Sequence, residues 1–255
     1  MSNYLRAEWY KLRCRKYLWI TALIVLAAET LMFAAYVVLR SSRAPMDFHT
    51  GWTNLLPLLG LGFFMPLLTG DMVFADQYKN GTLKNELSFG LSRGMIYWGK
   101  LLAQTILSLA LCALFVGYYF AGCWLLLPHD PALDAQALEL VGRCLATALP
   151  LWLGTQALVC CMYFLFRSDL MGAAAAIVLQ GGLPVVYLIF GGLGQGTVLG
   201  DGADRLYRLL PTVLLDRVLN TAAGWDLCAL AWGVGAAWFA LFTAIGLLVF
   251  SRKEL

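Results

Sequence analysis

Between Tyr17 and Leu39 the chain carries one charged side chain, Glu29, in an otherwise apolar run. Stretches like this constrain the fold more than any other feature. A helix needs roughly 20 apolar residues to cross a bilayer, and backbone amides in hydrocarbon are satisfied only inside a helix or a closed barrel. Six such runs are present, at 17–39, 52–74, 96–127, 140–166, 171–192 and 226–250. The expected fold is an all-α polytopic membrane protein with six transmembrane helices, a single transmembrane domain over 1–255. Composition agrees, with 61% apolar and 13% charged residues, where soluble domains carry about 25% charged residues. An ordinary soluble enzyme, a disordered chain and a collagen are excluded. The residues left between the runs are too few for a second folded domain, which needs upward of ~50 residues. Any ATPase or receptor domain is therefore expected on another polypeptide.

Lys and Arg in the short loops set the orientation. With the N-terminus inside, Arg6, Lys11, Arg13, Arg15, Lys16, Lys79, Lys84, Arg93, Lys100, Arg167, Arg252 and Lys253 fall on the cytoplasmic side. Arg40, Arg43, Arg143, Arg205, Arg208 and Arg217 fall outside. Both termini are then cytoplasmic, and the first apolar run is a retained span, because it is too long for a signal peptide and lacks a small-x-small cleavage site. The net charge of +3 reports topology and not nucleic-acid binding, since the cations are dispersed along membrane edges. Seven cysteines without any C-x-x-C point to packing residues and not to a metal site; a Cys123–Cys144 bridge near the outer surface is the alternative. His49 and His129 read as solvated residues of outer loops.

Three segments outside the spans carry most of the remaining information. In 1–16, Leu5, Trp9 and Leu12 share one helical face while Arg6, Lys11, Arg13 and Arg15 spread over the rest, the pattern of an interfacial helix. It serves either as a mechanical link to the first span or as a plain topogenic anchor. In the inner loop 76–93, Gly81 suits a left-handed helix stop, Thr82 a cap for a new helix, and Ser92 a cap for the third span. Leu83, Leu87 and Leu91 then recur on one side of a short cytoplasmic helix, with Lys84, Asn85 and Ser88 opposite. Such a helix suits docking in a partner's groove or a simple chain reversal on the membrane surface. In the outer connection 193–225, Leu206, Leu209 and Leu210 precede Pro211, and Leu214, Leu215, Val218 and Leu219 follow it. This predicts two short amphipathic re-entrant helices that form a lid before the last span.

Leu5-Arg-Ala-Glu-Trp-Tyr-Lys-Leu-Arg13, Tyr78-Lys-Asn-Gly-Thr-Leu-Lys-Asn-Glu-Leu-Ser88 with Ser92-Arg93 and Tyr97-Trp-Gly-Lys-Leu101, the outer Leu-Leu-Pro-Thr212 and the ending Phe250-Ser-Arg-Lys-Glu-Leu255 resemble the permease subunits of type-2 ABC exporters. The closest flavour is the bacitracin-resistance and lantibiotic-immunity branch. The resemblance covers the whole chain, and the inner-loop block is its most specific part. It implies a bacterial cell-membrane permease that pairs with a second copy or a homologous permease and with an ABC ATPase dimer. ATP and Mg2+ are then bound by the ATPase, with no cofactor on this chain. It also implies that the coupling loop and the interfacial helix contact the ATPase, through Arg6, Trp9, Lys11, Gly81, Thr82, Leu83, Lys84, Glu86, Leu87 and Leu91. One departure is visible: the family often has an acidic residue before the loop aromatic, whereas Gln77 precedes Tyr78 here and Asp76 stands one place earlier.

Polar side chains within spans are costly, at least ~2.5 kcal/mol for an ionised group at the bilayer centre. Glu29, Gln104, Gln156 and Gln180 are the candidates for a substrate pathway, and hydrogen bonding within the bundle is their plainer role. Gly181, Gly182 and Pro184 make the fifth span bendable. The expected function is ATP-driven export of an amphiphilic compound or antimicrobial peptide. A non-transporting anchor or sensor subunit of an ABC complex is the alternative. An intramembrane enzyme is less favoured, because H-E-x-x-H and G-x-S-x-G are absent and no span holds a histidine. The chain also lacks G-x-x-x-x-G-K-[ST], so it has no P-loop of its own.

Overall fold

The computed structural model describes residues 2–41, 46–75, 77, 80–166, 168–190, 198–220 and 225–253. Arg43, Asp76, Tyr78, Lys79, Arg167, the glycine-rich start of the outer connection at 191–197, and Glu254 and Leu255 lie outside the described residues. The described chain runs through α1 (Ser2–Arg13), α2 (Lys16–Ser41), α3 (Phe48–Thr53), α4 (Leu55–Gly62), α5 (Met65–Phe74), α6 (Thr82–Ser88), α7 (Arg93–Leu126) and α8 (Pro131–Leu165). It continues through α9 (Asp169–Ile177), a π turn (Val178–Gly182), α10 (Leu183–Phe190), α11 (Val198–Arg208), α12 (Pro211–Asn220) and α13 (Trp225–Arg252). No strand occurs among the described residues.

Five helices are long and apolar enough to cross a membrane, or six if α3, α4 and α5 are taken as one bent span. The sequence predicts an unbroken span over 52–74. The structure instead starts it at Phe48, where the Asp47 carboxylate accepts from Thr50 N at 2.8 Å, and bends it by 47° between Gly62 and Met65. Pro66 explains the bend, because it sits in the first turn of α5 and has no N–H to continue the helix before it.

α8 is the hub. Most of its apolar stretch is buried, whereas α2 is largely exposed, as expected of a helix that faces lipid or a neighbouring subunit. α13 crosses α8 so closely that a Cβ at Gly235 would run into the Pro150 carbonyl, and Gly154 faces Trp238 from the other side. Small residues at a crossing are how helices associate where the hydrophobic effect gives no push.

At the end that holds both termini, Phe74, Tyr97, Phe164 and Phe250 gather α5, α7, α8 and α13 around one aromatic cluster, with ring centroids 4.5 to 5.0 Å apart. Two cations close that end. Arg93 donates to the carbonyls of Phe250, Ser251 and Lys253 at 2.6, 3.0 and 2.7 Å, and Lys253 donates to those of Phe164, Leu165 and Phe166 at 2.8, 3.3 and 3.2 Å. Carbonyls at a helix C-terminus lack intrahelical donors, so each cation satisfies a helix end and complements its dipole.

At the opposite end His129 joins the α7–α8 turn to both helices. Its Nε2 lies 2.8 Å from the Trp124 carbonyl and its Nδ1 2.8 Å from the Asp134 carboxylate. Both partners are acceptors, so the imidazolium, with two N–H groups, fits best, and the Trp124 carbonyl and then Asp134 hold its pKa above the ordinary 6.5. All seven cysteines, Cys123 and Cys144 among them, are free thiols.

Candidate functional site

α1 buries Tyr4, Glu8 and Leu12, spaced one turn apart, with Leu5 and Trp9 packed at the edge of the same core. The expected apolar stripe is therefore present but shifted, and a carboxylate stands in its middle. The Tyr4 ring lies directly on Gly99 of α7, where any Cβ would collide with it. Arg6 is exposed, and the Arg13 guanidinium sits over the Trp9 ring at 6.0 Å.

α6 begins at Gly81, whose φ of 62° is left-handed, a conformation glycine adopts without a Cβ penalty. Thr82 does not cap the new helix as expected. Its hydroxyl donates to the Gln77 carbonyl at 3.1 Å, as does its backbone N–H at 3.0 Å, closing the turn before the helix. Gln77, at the departure from the family pattern, is itself buried and anchors this turn. Ser92 caps α7 as expected, accepting from Met95 N at 3.3 Å.

The leucine face of α6 turns into the protein. Leu83 is 1% exposed, and Leu87 and Leu91 pack against the core. In this chain the apolar positions thus hold α6 against the protein's own core. The outward face carries Lys84, Asn85, Ser88 and, at the helix end, Phe89, whose ring is 86% exposed.

Between α1, α6 and the base of α7 lies a charge cluster. Lys100 is fully buried, and its Nζ stands 3.2 Å from Glu8 Oε1 and 3.8 Å from Glu86 Oε1. Lys11 Nζ approaches the same two oxygens at 2.7 and 3.4 Å, and the Tyr4 hydroxyl donates to Glu86 Oε2 at 2.9 Å. The Lys100 contact with Glu8 is an ion pair without an aligned hydrogen bond. Two carboxylates and two ammoniums make the cluster neutral, the condition under which charges are tolerated away from water. Burial alone would raise the Glu8 carboxyl, but Lys100 and then Lys11 offset it and hold it below its ordinary value. Burial likewise works against the charged form of Lys11, and Glu8 and Glu86 reverse that.

The sequence names Lys11 and Glu86 as ATPase contacts; the structure places both in this cluster beside Tyr4, Glu8 and Lys100, which sequence reasoning did not single out, as it did not Phe89. One signal was available for Glu8, an acid on the Leu5–Leu12 stripe. α7 has 34 residues, roughly 50 Å at 1.5 Å per residue, against ~30 Å of hydrocarbon. Lys100 therefore falls where the helix enters the membrane.

The four candidate pathway residues are not brought together. Gln104 donates to Gln156 Oε1 at 2.8 Å and to the Pro66 carbonyl at 3.2 Å, fully buried between α5, α7 and α8. These two glutamines hold helices together, and Thr69 and Ser108 pair beside them at 2.6 Å. Glu29 is half-buried on α2, apart from both. Gln180 lines a cavity between the bend of the second span, the π turn and α12.

A family model described as ABC-2 family transporter protein matches residues 4–181, most of the chain and all of the cluster just described. The chain belongs to this ABC-2 transporter family. It is a permease subunit of an ABC transporter, a multi-pass membrane protein, and permeases of this family work with an ABC ATPase. No curated protein matches the sequence. In the permease, α1 and α6 meet the first turns of α7 at Lys100, through Glu8 and Glu86.

Proposed function

We propose that this permease is one half of a membrane pair, identical or homologous, driven by two copies of an ABC ATPase. Its cargo is an amphiphilic compound or antimicrobial peptide, moved out of a bacterial cell or out of its membrane. In this reading α6 and both termini face the cytoplasm, ATP and Mg2+ sit on the ATPase, and this chain performs no hydrolysis. The bacitracin-resistance and lantibiotic-immunity branch remains the nearest resemblance.

One observation carries the reading: Phe89 projects, 86% exposed, from a helix that is pinned through Leu83 and Glu86. A protruding aromatic ring on a rigid mount is the anchor a partner groove needs, and Lys84, Asn85 and Ser88 supply a polar rim around it. Lys11 adjoins α6 through Glu86, and Arg6 and Trp9 offer a second contact from another side of α1. Leu83, Leu87 and Leu91 contribute by fixing α6, and Gly81 and Thr82 by setting its angle. Closure of the ATPase pair moves Phe89, the movement passes from Glu86 to Lys100, and α7 tilts.

Phe89→Asp tests this without touching the core. Recovery of the ATPase with the purified permease should fall roughly tenfold or more, since losing a central anchor costs ~2 kcal/mol. Undiminished recovery removes α6 from the docking role. Leu83→Asp is unsuited to the question, because a carboxylate in that buried position would disrupt α6 whether or not a partner binds there.

A further inference from the structure

We propose that the cavity beneath α12 binds an apolar peptide segment in extended form and that Gln180 reads its backbone. The inference deepens the export reading above and rests on it for the identity of the cargo.

The cavity measures about 300 Å³, at the small end of ligand sites, which run from ~300 to 1,000 Å³. It therefore suits a segment of a few residues. Phe63, Phe64, Pro184, Leu215 and Leu219 make most of its walls apolar, and Tyr207, Thr212 and Asp216 are the polar members of the lining. On the same wall Gln180 is 4% exposed, and neither its amide nitrogen nor its amide oxygen has a hydrogen-bond partner. Gln180 lines the cavity while both of its amide atoms are sealed from it, so a ligand meets the carboxamide once the side chain turns into the space; a buried carboxamide without partners is unusual among buried polar groups. Gln104 and Gln156 show the contrast, since each has at least one bond in the core.

The local backbone explains why this wall is built as it is. In an α-helix the Gln180 carbonyl would accept from the N–H of residue 184, and Pro184 has none. The helix responds with the π turn, in which Leu183 N–H reaches back to the Val178 carbonyl; such turns occur frequently at functional sites. The stranded Gln180 carbonyl is taken by the Thr212 hydroxyl of α12 at 3.1 Å. The outer Leu-Leu-Pro-Thr212 motif thus latches α12 over the cavity, while the Gln180 side chain stays free.

The free carboxamide defines the ligand. It offers one donor face and one acceptor face side by side. In an extended peptide the N–H and C=O of one residue point to the same edge, as in a sheet, so a single residue satisfies both. Its neighbours' side chains then meet the apolar walls. A phospholipid ester has acceptors but no donor and leaves the amide oxygen unpaired.

The test uses the full chain in lipid nanodiscs, with N-acetyl-Leu-Leu-Leu-amide carrying a photoreactive central leucine as probe, and the same probe with the central N–H replaced by an ester oxygen. Labelling should saturate and fall on the π turn and α12. The ester should bind about tenfold more weakly, the worth of one hydrogen bond to a buried group. Gln180→Leu should weaken the amide probe about tenfold and remove the preference for it over the ester, while raising the thermal midpoint because an unpaired buried group is gone. Leu219→Trp, which narrows the cavity, should weaken both probes equally. Unsaturable labelling, equal affinity of amide and ester, or unchanged affinity in Gln180→Leu overturns the proposal. Failure of the site with intact ATPase coupling leaves the export reading standing; saturable labelling of a chain that recruits no ATPase separates the two the other way.

Discussion

Lys100 has no water contact and two carboxylates within 4 Å, so removing either sign leaves the other uncompensated in a place where charge is expensive. Lys100→Met should lower stability by ~3–5 kcal/mol. Combining it with Glu8→Gln should restore a large part of that, a coupling measurable as a double-mutant cycle of thermal midpoints. At the opposite end His129 predicts a pH dependence. Its pKa is raised in the folded chain, so its stabilisation is fully present below the ordinary 6.5 and disappears as pH rises through the raised value. The midpoint of the purified permease should therefore fall as pH is taken from 6 upward through that value, and His129→Gln should flatten this part of the profile. These residues differ in how far sequence could expose them. Lys11 and Glu86 show themselves on helix surfaces, whereas Lys100 sits amid Ile96, Tyr97 and Leu101, and nothing nearby in the chain announces partners that arrive from α1 and α6. His129 reads as solvated because its acceptors, a carbonyl and a carboxylate at two helix ends, exist only once the turn has formed.

Elements were legible wherever the signal is local. The apolar runs correspond to five or six helices long enough to cross a membrane, Gly81 marks the start of α6 and Ser92 that of α7, and Pro211 divides α11 from α12. The bend after Gly62 has its local signal in Pro66, which the apolar run around it masked; the direction of α6 was not legible, since it depends on what lies opposite. A leucine stripe records that a face is apolar, not whether it meets its own protein or another. The α8–α13 crossing belongs to the same class: Gly235 is one of 25 glycines until the fold sets it against Pro150. Gly235→Ala should cost ~1–3 kcal/mol through forced separation of the two helices. It should appear as earlier exposure of the buried thiols Cys160 and Cys161 to a maleimide dye during heating.

At the scale of the molecule, α8 is enclosed by the bundle and α2 lies at its margin, the arrangement of a permease that leaves a face for lipid or for a second subunit. The loop-charge count predicts that α6 faces the inside. In intact cells, with the exposed Cys14 replaced by Ser, a membrane-impermeant maleimide should label His129→Cys and spare Lys84→Cys until the cells are opened. The reverse pattern would invert the topology.

The bond that Gln104 makes to both Gln156 and the Pro66 carbonyl gives α7 a fulcrum. At 1.5 Å per residue a straight helix has a short arm of about 6 Å from there to Lys100 and a long arm of about 33 Å to Leu126. A lever with those arms returns an ångström of displacement near Lys100 as about five at its far tip, so under the proposed export reading a small stroke at the base would be felt as a large one on the other side.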